Sequence, residues 1–407
     1  MTRPHVLISG ASIAGPALAL WLGRYGWDAT VVEQAPAFRT GGQNIDVRGA
    51  AREVLRRAGL EEAVRAATTG EVGTRFLGEG GRVVAEFPAQ RSDTVGPTAE
   101  LEVLRGDLAR ILVDAGAGST TYRYGDRVTA LADTGADVRV SFEHGSEQRV
   151  DLVVVADGMR SATRRLAFGD EAVVRPLGME VSYLTIPRTA TDTDWWNWYN
   201  EPGGLGVNLR PDRHGTTRAL LSAITYGSAA GAASGGGRRS AEEQKDRLRR
   251  QFRDVGWEAP RILDALDGAD DLYSESIGQV RAPRWTSGRV ALLGDAAWCA
   301  SPVSGMGTSL SLVGAYVLAG ELATRTDHRE AFSRYEQVLR PYVERAQHLP
   351  PGVPRIANPR SRAGLAAFRL GLRAAASRVV AGLGNRLFSP PADEVELPDY
   401  GRLEQVG

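Results

Sequence analysis

The chain has 407 residues, enough for one large core or two modest ones, and that length accommodates a discontinuous second domain. Its 49 basic and 49 acidic residues cancel, which gives no reason to expect nucleic acid or an anionic membrane surface as a partner. A single cysteine, Cys299, excludes an internal disulfide framework; the five histidines show no metal-ligand spacing, and no window approaches the roughly 18 apolar residues of a membrane span. The expectation is a soluble cytoplasmic protein without a metal centre.

The first elements read as a dinucleotide-binding βαβ unit. His5–Ser9 is a short apolar run suited to a buried parallel strand rather than a signal segment, because Gly10 interrupts it. Gly10-Ala11-Ser12-Ile13-Ala14-Gly15 then turns directly into the helical pattern Pro16–Tyr25. A second strand, Ala29–Val32, ends on Glu33, 18 residues past Gly15, with Gln34 beside it. The first glycine permits the tight turn and the last lets helix and strand pack closely. The helix N-terminus offers unpaired N–H groups to a pyrophosphate. Gly10, Ser12, Ile13, Ala14 and Gly15 are therefore candidate phosphate contacts, and Glu33 is placed to accept hydrogen bonds from a ribose diol. Ser12 stands where the fingerprint usually has its middle glycine.

Further along, Arg52–Ala67 has helical apolar spacing, and Thr74–Leu77 and Val83–Phe87 are strand candidates. Arg105–Ala115 is an amphipathic helix. Tyr122–Leu131, Val138–Phe142 and Gln148–Val150 look like a meander leading to Asp151–Ala156, an apolar run expected to be a central parallel strand. The middle of the chain reads as mostly β: Gly178–Thr185, Trp195–Tyr199, Gly204–Arg210, Thr217–Thr225 and Leu272–Val280. Ser228–Ser240 reads as a mobile loop, and Ser240-Ala241-Glu242-Glu243 as a capping box opening a helix to about Val255. Arg289–Leu293 returns to the buried-strand style, Ser309–Leu322 is a long apolar helix, and a tail helix runs from Ser361 to about Leu387. This order predicts an α/β chain. A Rossmann-type domain (1–172 and 284–350) is interrupted by a mostly antiparallel β insertion (173–283), and a helical tail (351–407) bridges the two.

Two later segments also place acid and glycine where a buried strand runs out. Asp157-Gly158 follows Asp151–Ala156, and Gly294-Asp295 follows Arg289–Leu293 and leads to Pro302-Val303-Ser304-Gly305-Met306-Gly307 at a helix start. In an open α/β sheet, ligands bind beyond the carboxyl ends of the strands. An Asp there accepts a ribose hydroxyl, and a glycine-lined helix start faces a ring or a pyrophosphate. Asp and Gly are also common in ordinary strand-to-helix turns, but three such turns in one chain point to a nucleotide.

Taken in this order, the three motifs resemble the FAD-dependent aromatic hydroxylases of the p-hydroxybenzoate hydroxylase type, the class A flavin monooxygenases, over nearly the whole chain. Within that family the chain looks most like the tetracycline-inactivating and aromatic-polyketide monooxygenases, through Gly41-Gly42-Gln43-Asn44-Ile45-Asp46-Val47-Arg48 and a helix ending at Gly59-Leu60. The resemblance implies a glutathione-reductase-like FAD domain, bound FAD, and NADPH or NADH as a transient reductant. It further implies transfer of one oxygen atom from O2, through a flavin hydroperoxide, into a bulky aromatic or polycyclic small molecule, by a monomer or weak homodimer. By the same resemblance Glu33 would hold the adenosine ribose, Asp46 and Arg105 would contact FAD, and Asp295 would bind the ribityl and pyrophosphate region. Arg39, seven residues before Asp46, would meet NADPH, and Asp157 would serve both nucleotides. Gly158, Gly294, Pro302, Gly305 and Gly307 complete the implied cofactor contacts. Trp298-Cys299 stand where the family often has His, a departure expected close to the flavin. No side chain in these motifs is an evident acid–base catalyst.

Rival readings are weaker. A flavin-dependent halogenase would share the flavin domain, and Trp196-Asn197-Trp198 has its Trp-x-Trp form, but Tyr199-Asn200 lacks the Ile-Pro that follows. The only lysine, Lys245, lies outside the flavin domain. A nicotinamide dehydrogenase without flavin leaves the Asp-Gly and Gly-Asp segments unexplained, and Gly10-Ala11-Ser12-Ile13-Ala14 is only a near miss for a hydrolase elbow. A non-enzymatic flavin-binding protein would keep the motifs but lack turnover. Trp196, Trp198 and Arg210 are the candidates for a substrate wall in the β insertion, since alternation puts both tryptophans on one side of their strand. The competing reading has the tryptophans filling the sheet's own core and Arg210 in a surface ion pair.

Overall fold

The computed structural model describes residues 3–89, 99–225, 240–350, 352–377 and 395–401. A six-stranded sheet runs in the order Thr286–Ser287, Val290–Leu292, Leu152–Val155, His5–Ser9, Asp28–Glu33, Thr120–Tyr124. Every neighbouring pair is parallel except the first. Its inner strands lack alternation because both faces are covered: Val6, Leu7, Ile8, Val153, Val154 and Val155 are 0% exposed. Helices Ala14–Arg24 and Gly307–Thr324 pack against each other in the same core. The three strand-end motifs are thereby set side by side. The N–H of Ala156 donates to the carbonyl of Ser9 at 2.7 Å, and that of Leu293 to Val155 at 2.9 Å.

The second sheet has seven strands in the order Tyr273–Arg281, Val173–Pro187, Thr216–Ile224, Leu205–Pro211, Trp196–Glu201, Gly73–Leu77, Val83–Pro88. It is antiparallel except where Trp196–Tyr199 pairs in parallel with Thr74–Leu77. Two strands from the segment 1–172 therefore belong to this sheet, so the chain crosses between sheets earlier than the boundary at 173 allows. One face carries Leu184, Ile186, Tyr199, Val207, Leu209 and Leu221 onto helices Ala241–Phe252 and Ala259–Ala265. The first of these helices opens with the expected capping box, Ser240 and Glu243.

Several expectations need correction. The proposed strand Tyr122–Leu131 is two strands. Thr120–Tyr124 joins the parallel sheet, and Val128–Asp133 starts a three-stranded meander with Val138–Phe142 and Gln148–Val150, the chain turning between them at Gly125 with φ +71°. Arg52–Ala67 is two helices, Ala50–Arg57 and Glu61–Ala66, separated at Gly59 with φ +67°, a conformation that breaks helical continuity. The 19-residue helix His328–Ala346 was missed, although Ala331, Phe332, Tyr335, Leu339, Tyr342, Val343 and Ala346 recur at helical spacing and are all buried.

The tail helix is described over Arg362–Ala376, where Ser361 caps it and Phe368 and Leu372 pack on Phe76, Phe87 and Trp198 of the seven-stranded sheet. Tyr400 enters the core of the other sheet, its hydroxyl donating to Glu321 at 2.8 Å. The rest of the expected tail helix and most of the loop Ser228–Ser240 lie outside the described residues. Among the described residues, no helix is long and apolar enough to cross a membrane.

Candidate cofactor and substrate cleft

The turn after the first strand works only with glycine. Gly10 has φ +111°, and a Cβ there would lie 2.5 Å from the carbonyl oxygen of Ala156; one at Gly15 would lie 2.0 Å from that of Gly10. The helix that follows has no side-chain cap and no acid in its first turn, so its orphan N–H groups remain available to an anion. Ser12 has a partner suited to this place. Arg105, at the start of helix Arg105–Ala115, donates from Nη1 to Ser12 Oγ at 3.0 Å and from Nη2 to the carbonyl of Gly41 at 2.7 Å. A cation thus stands at the phosphate turn, and burial together with the charge of Arg39 lowers its pKa. Glu33 is held by the N–H groups of Ala11 at 3.0 Å and Ala35 at 2.9 Å, which fixes its carboxylate at the end of the second strand. Gln34 and Arg39 are exposed beyond it.

The other strand-end acids differ from each other. Asp157 faces inward to its own helix, accepting from the Ser161 hydroxyl and from the N–H of Thr163 at 3.3 Å, and burial raises its pKa. It shapes the Asp157-Gly158 turn. Asp295 is exposed to water yet surrounded by protein, the position of a carboxylate at the floor of a cleft, and this enclosure raises its pKa. Gly294 is tightly packed: a Cβ there would lie 2.9 Å from Ala14. The turn Pro302–Ser304 and Gly305, at φ +65°, lead into helix Gly307–Thr324, which again lacks a side-chain cap and an acid in its first turn.

Asp46 pairs with Arg48 at 2.9 Å through one oxygen, while its other oxygen, Oδ1, is buried without a hydrogen-bond partner. An orphaned carboxylate oxygen, two uncapped helix starts and glycines with no room for a side chain together fit a bound dinucleotide such as FAD. The departure at Trp298-Cys299 resolves differently for its two residues. Trp298 is core, packed on Trp285 and Tyr335, whereas the Cys299 thiol donates to the carbonyl of Gly278 at 3.6 Å, and burial pushes its pKa up.

The face of the seven-stranded sheet opposite its helices turns toward this cleft. Register sets Trp198, Asn208, Leu220, Tyr183 and Tyr273 side by side across five strands. Val303, from the turn before helix Gly307–Thr324, packs against the cluster of Met179, Val181, Tyr183 and Ile277. Glu275 accepts from the Tyr273 hydroxyl at 3.2 Å, and burial and the charge of Asp295 raise its pKa. Tyr183, Tyr273 and Glu275 were missed in the sequence because Ser274-Glu275-Ser276 reads as an ordinary polar stretch of strand.

The two tryptophans are both half-buried and stack on each other at 5.3 Å. Trp198 also stacks on Phe76 at 5.4 Å and belongs to the cluster under the tail helix, whereas Trp196 lies outside that cluster, its Nε1 donating to Asn208 at 2.7 Å. Arg210 is neither on the surface nor free to meet a substrate carboxylate. It donates to Glu71 at 2.8 Å and Glu102 at 2.5 Å, all three side chains being at most 9% exposed.

Residues 3–348 match the FAD binding domain family. A flavin-dependent monooxygenase from an unknown prokaryotic organism is 38% identical over 348 residues, covering 84% of this chain and 88% of its own. The flavin-dependent monooxygenase eupH of a Phoma species is 35% identical over 431 aligned positions, 98% of each chain. Among solved structures, the tetracycline destructase Tet(51) superposes with a TM-score of 0.80 at 29% identity, over 98% of this chain and 100% of that one.

Proposed function

This chain belongs to the FAD-binding-domain family and is a flavin-dependent monooxygenase, and we propose that its substrate is a bulky, flat aromatic or polycyclic small molecule. The observation that carries the substrate class is the meeting of the two sheets. Tyr183, Tyr273 and Glu275 are turned toward the Val303 turn and Asp295, with Asn208 and Trp196 further along the same face of the sheet. Flat rings stack well on such a surface, and the neighbouring hydroxyl and amide groups orient them. The name of the tetracycline destructase, a protein of the same overall shape, supports a polycyclic substrate. In this reading residues 173–283, with strands 73–77 and 83–88, form the substrate side, and 1–72, 99–172 and 284–350 the cofactor side.

Bound FAD supplies the redox chemistry and the activation of O2, with NADPH or NADH as the visiting reductant. The chain's own residues hold and enclose. The Gly10–Gly15 turn and Arg105 receive the pyrophosphate, Glu33 the ribose, and Asp46 and Asp295 the parts nearer the ring, while the aromatic row excludes water and places the substrate. Arg39, exposed at the rim, is placed to meet the nicotinamide nucleotide.

The test is NAD(P)H oxidation by the FAD-loaded protein against a panel of phenolic and polyketide-like compounds, with mass spectrometry of the products. Stimulated oxidation and a product heavier by one oxygen are expected for at least one polycyclic member. A protein that shows no flavin spectrum after incubation with excess FAD, or that no aromatic compound stimulates, overturns the reading.

A further inference from the structure

Arg210 is buried against carboxylates from two other parts of the chain, and its partners give it a task. It lies on strand Leu205–Pro211 of the seven-stranded sheet. Its guanidinium donates to Glu71, at the approach to strand Gly73–Leu77, and to Glu102, on the strand paired with Asn44–Val47. Asn44 closes the link from the cofactor side, donating to Glu102 at 2.6 Å and to the carbonyl of Pro211 at 3.1 Å. The flat face of the same guanidinium covers the Trp196 ring, with Cζ 4.1 Å from the centroid. Asn208, two residues from Arg210, holds the indole N–H. The ring of Trp196 is thus fixed at its edge by an amide, by the stacked ring of Trp198 at 5.3 Å, and on its face by a cation that is itself locked to the strand beside Asp46.

We propose that Arg210 is a positioning residue, which sets the plane of Trp196 and ties it to the cofactor-contacting strand Asn44–Val47 without touching substrate itself. The consequence for substrate rests on the reading of Trp196 as a wall; the link between Arg210 and Trp196 stands apart from it. Planarity and bidentate bonding are what Arg offers and Lys does not: an ammonium keeps the charge between Glu71 and Glu102 but loses the flat, pinned surface under the indole. Burial and the neighbouring Glu102 push the Glu71 pKa well above the usual carboxylate range, while the Arg210 guanidinium pulls it down.

The experiment uses FAD-loaded protein labelled with 5-fluorotryptophan, the Trp196 resonance being assigned from Trp196→Phe. Arg210→Lys should shift and broaden that resonance, while Glu71→Gln, which keeps the shape beside Arg210, should leave it in place. Arg210→Met leaves Glu102 buried without its cation and is expected to fold poorly, which is why lysine is the informative change. Tetracycline, followed by perturbation of flavin absorbance, then reports on function. Its affinity should fall about three- to tenfold in Arg210→Lys and in Trp196→Leu, and no further in the double variant. A Trp196 resonance unmoved in folded Arg210→Lys overturns the positioning role, as does an Arg210→Lys loss that persists in full on the Trp196→Leu background. Tetracycline binding unaffected by Trp196→Leu alone would instead overturn the wall reading, leaving the resonance to decide the role of Arg210.

Discussion

The two sheets build their halves of the cleft by different means. At the Gly10–Gly15 turn the functional atoms are backbone N–H groups, and what matters is the absence of side chains: Gly10, Gly15 and Gly294 have no room for a Cβ. On the seven-stranded sheet the functional surface is made of side chains held by other side chains, as Arg210 holds Trp196 between Glu71 and Glu102. A backbone site tolerates no substitution at its glycines but is indifferent to pH. A side-chain site tolerates exchange where shape is kept and responds to charge.

The comparison is broken most violently at Gly15. Gly15→Val puts a branched side chain where a Cβ already meets the Gly10 carbonyl at 2.0 Å, so strand and helix must separate. A loss of about 3 kcal/mol or more is expected from overpacking and strain. Purified Gly15→Val should be colourless or unfolded; a yellow, wild-type-like protein would show that the turn does not carry the pyrophosphate.

Side chains at the cofactor come next. Asp295→Ala and Arg105→Met should each weaken FAD retention about ten- to a hundredfold, the loss of roughly 1.5–3 kcal/mol for a charge-assisted hydrogen bond. Arg39→Ala should leave FAD in place and raise the nicotinamide KM. Equilibrium dialysis and steady-state kinetics separate these, and an Arg39→Ala protein stripped of flavin with unchanged nicotinamide kinetics would reverse the division of roles.

The contrast between the halves also explains what the sequence reveals. Backbone constraints are local, so Gly10, Gly15, Glu33, Gly294 and Asp295 are readable from spacing within short segments, and so is the strand–helix–strand around them. The side-chain half depends on partners far apart in the chain: Arg210 finds Glu71 139 positions away and Glu102 108 positions away. Nothing near Arg210 signals that its charge is already engaged, so a free substrate-binding arginine was the natural expectation. Strands Gly73–Leu77 and Val83–Pro88 were found as strands but assigned by position to the wrong sheet, because alternation reports a strand and not its neighbour. Trp196 and Trp198 share a side of their strand, as the period of two requires, and stack on each other, yet only Trp198 joins the cluster under the tail helix, remote in sequence.

That separation gives a smaller, sharper effect. Trp198→Leu removes a ring stacked on Phe76 beneath Phe368 and should cost about 2–3 kcal/mol, lowering the melting temperature by several degrees. Trp196→Leu, which forfeits the Asn208 hydrogen bond and the Arg210 contact but lies outside the cluster beneath the tail helix, should cost less, about 1–2 kcal/mol. Thermal melts of the two holoproteins decide it; equal losses would mean that both rings are core.

The smallest effect at neutral pH, and the one that separates the halves most cleanly, belongs to Glu71. Its pKa in the folded chain lies well above the ordinary glutamate value of 4.5, because it is buried and faces Glu102. The folded state therefore holds this proton more tightly than the unfolded chain does. The associated stability is fully present below about pH 4.5 and is lost as pH rises toward and through the folded pKa. Glutamine keeps the shape and the hydrogen-bond donor but has no proton to lose. Glu71→Gln should match the wild type within about 0.5 kcal/mol in mildly acidic buffer, and its advantage should widen as the buffer is made alkaline. The pH dependence around Gly15 should be untouched, since no titrating group sets that geometry. Urea unfolding of both proteins from pH 5 to pH 9 measures the difference directly. Parallel stability profiles would mean that Glu71 is ionised in the folded protein, and that Arg210 balances two carboxylates rather than one.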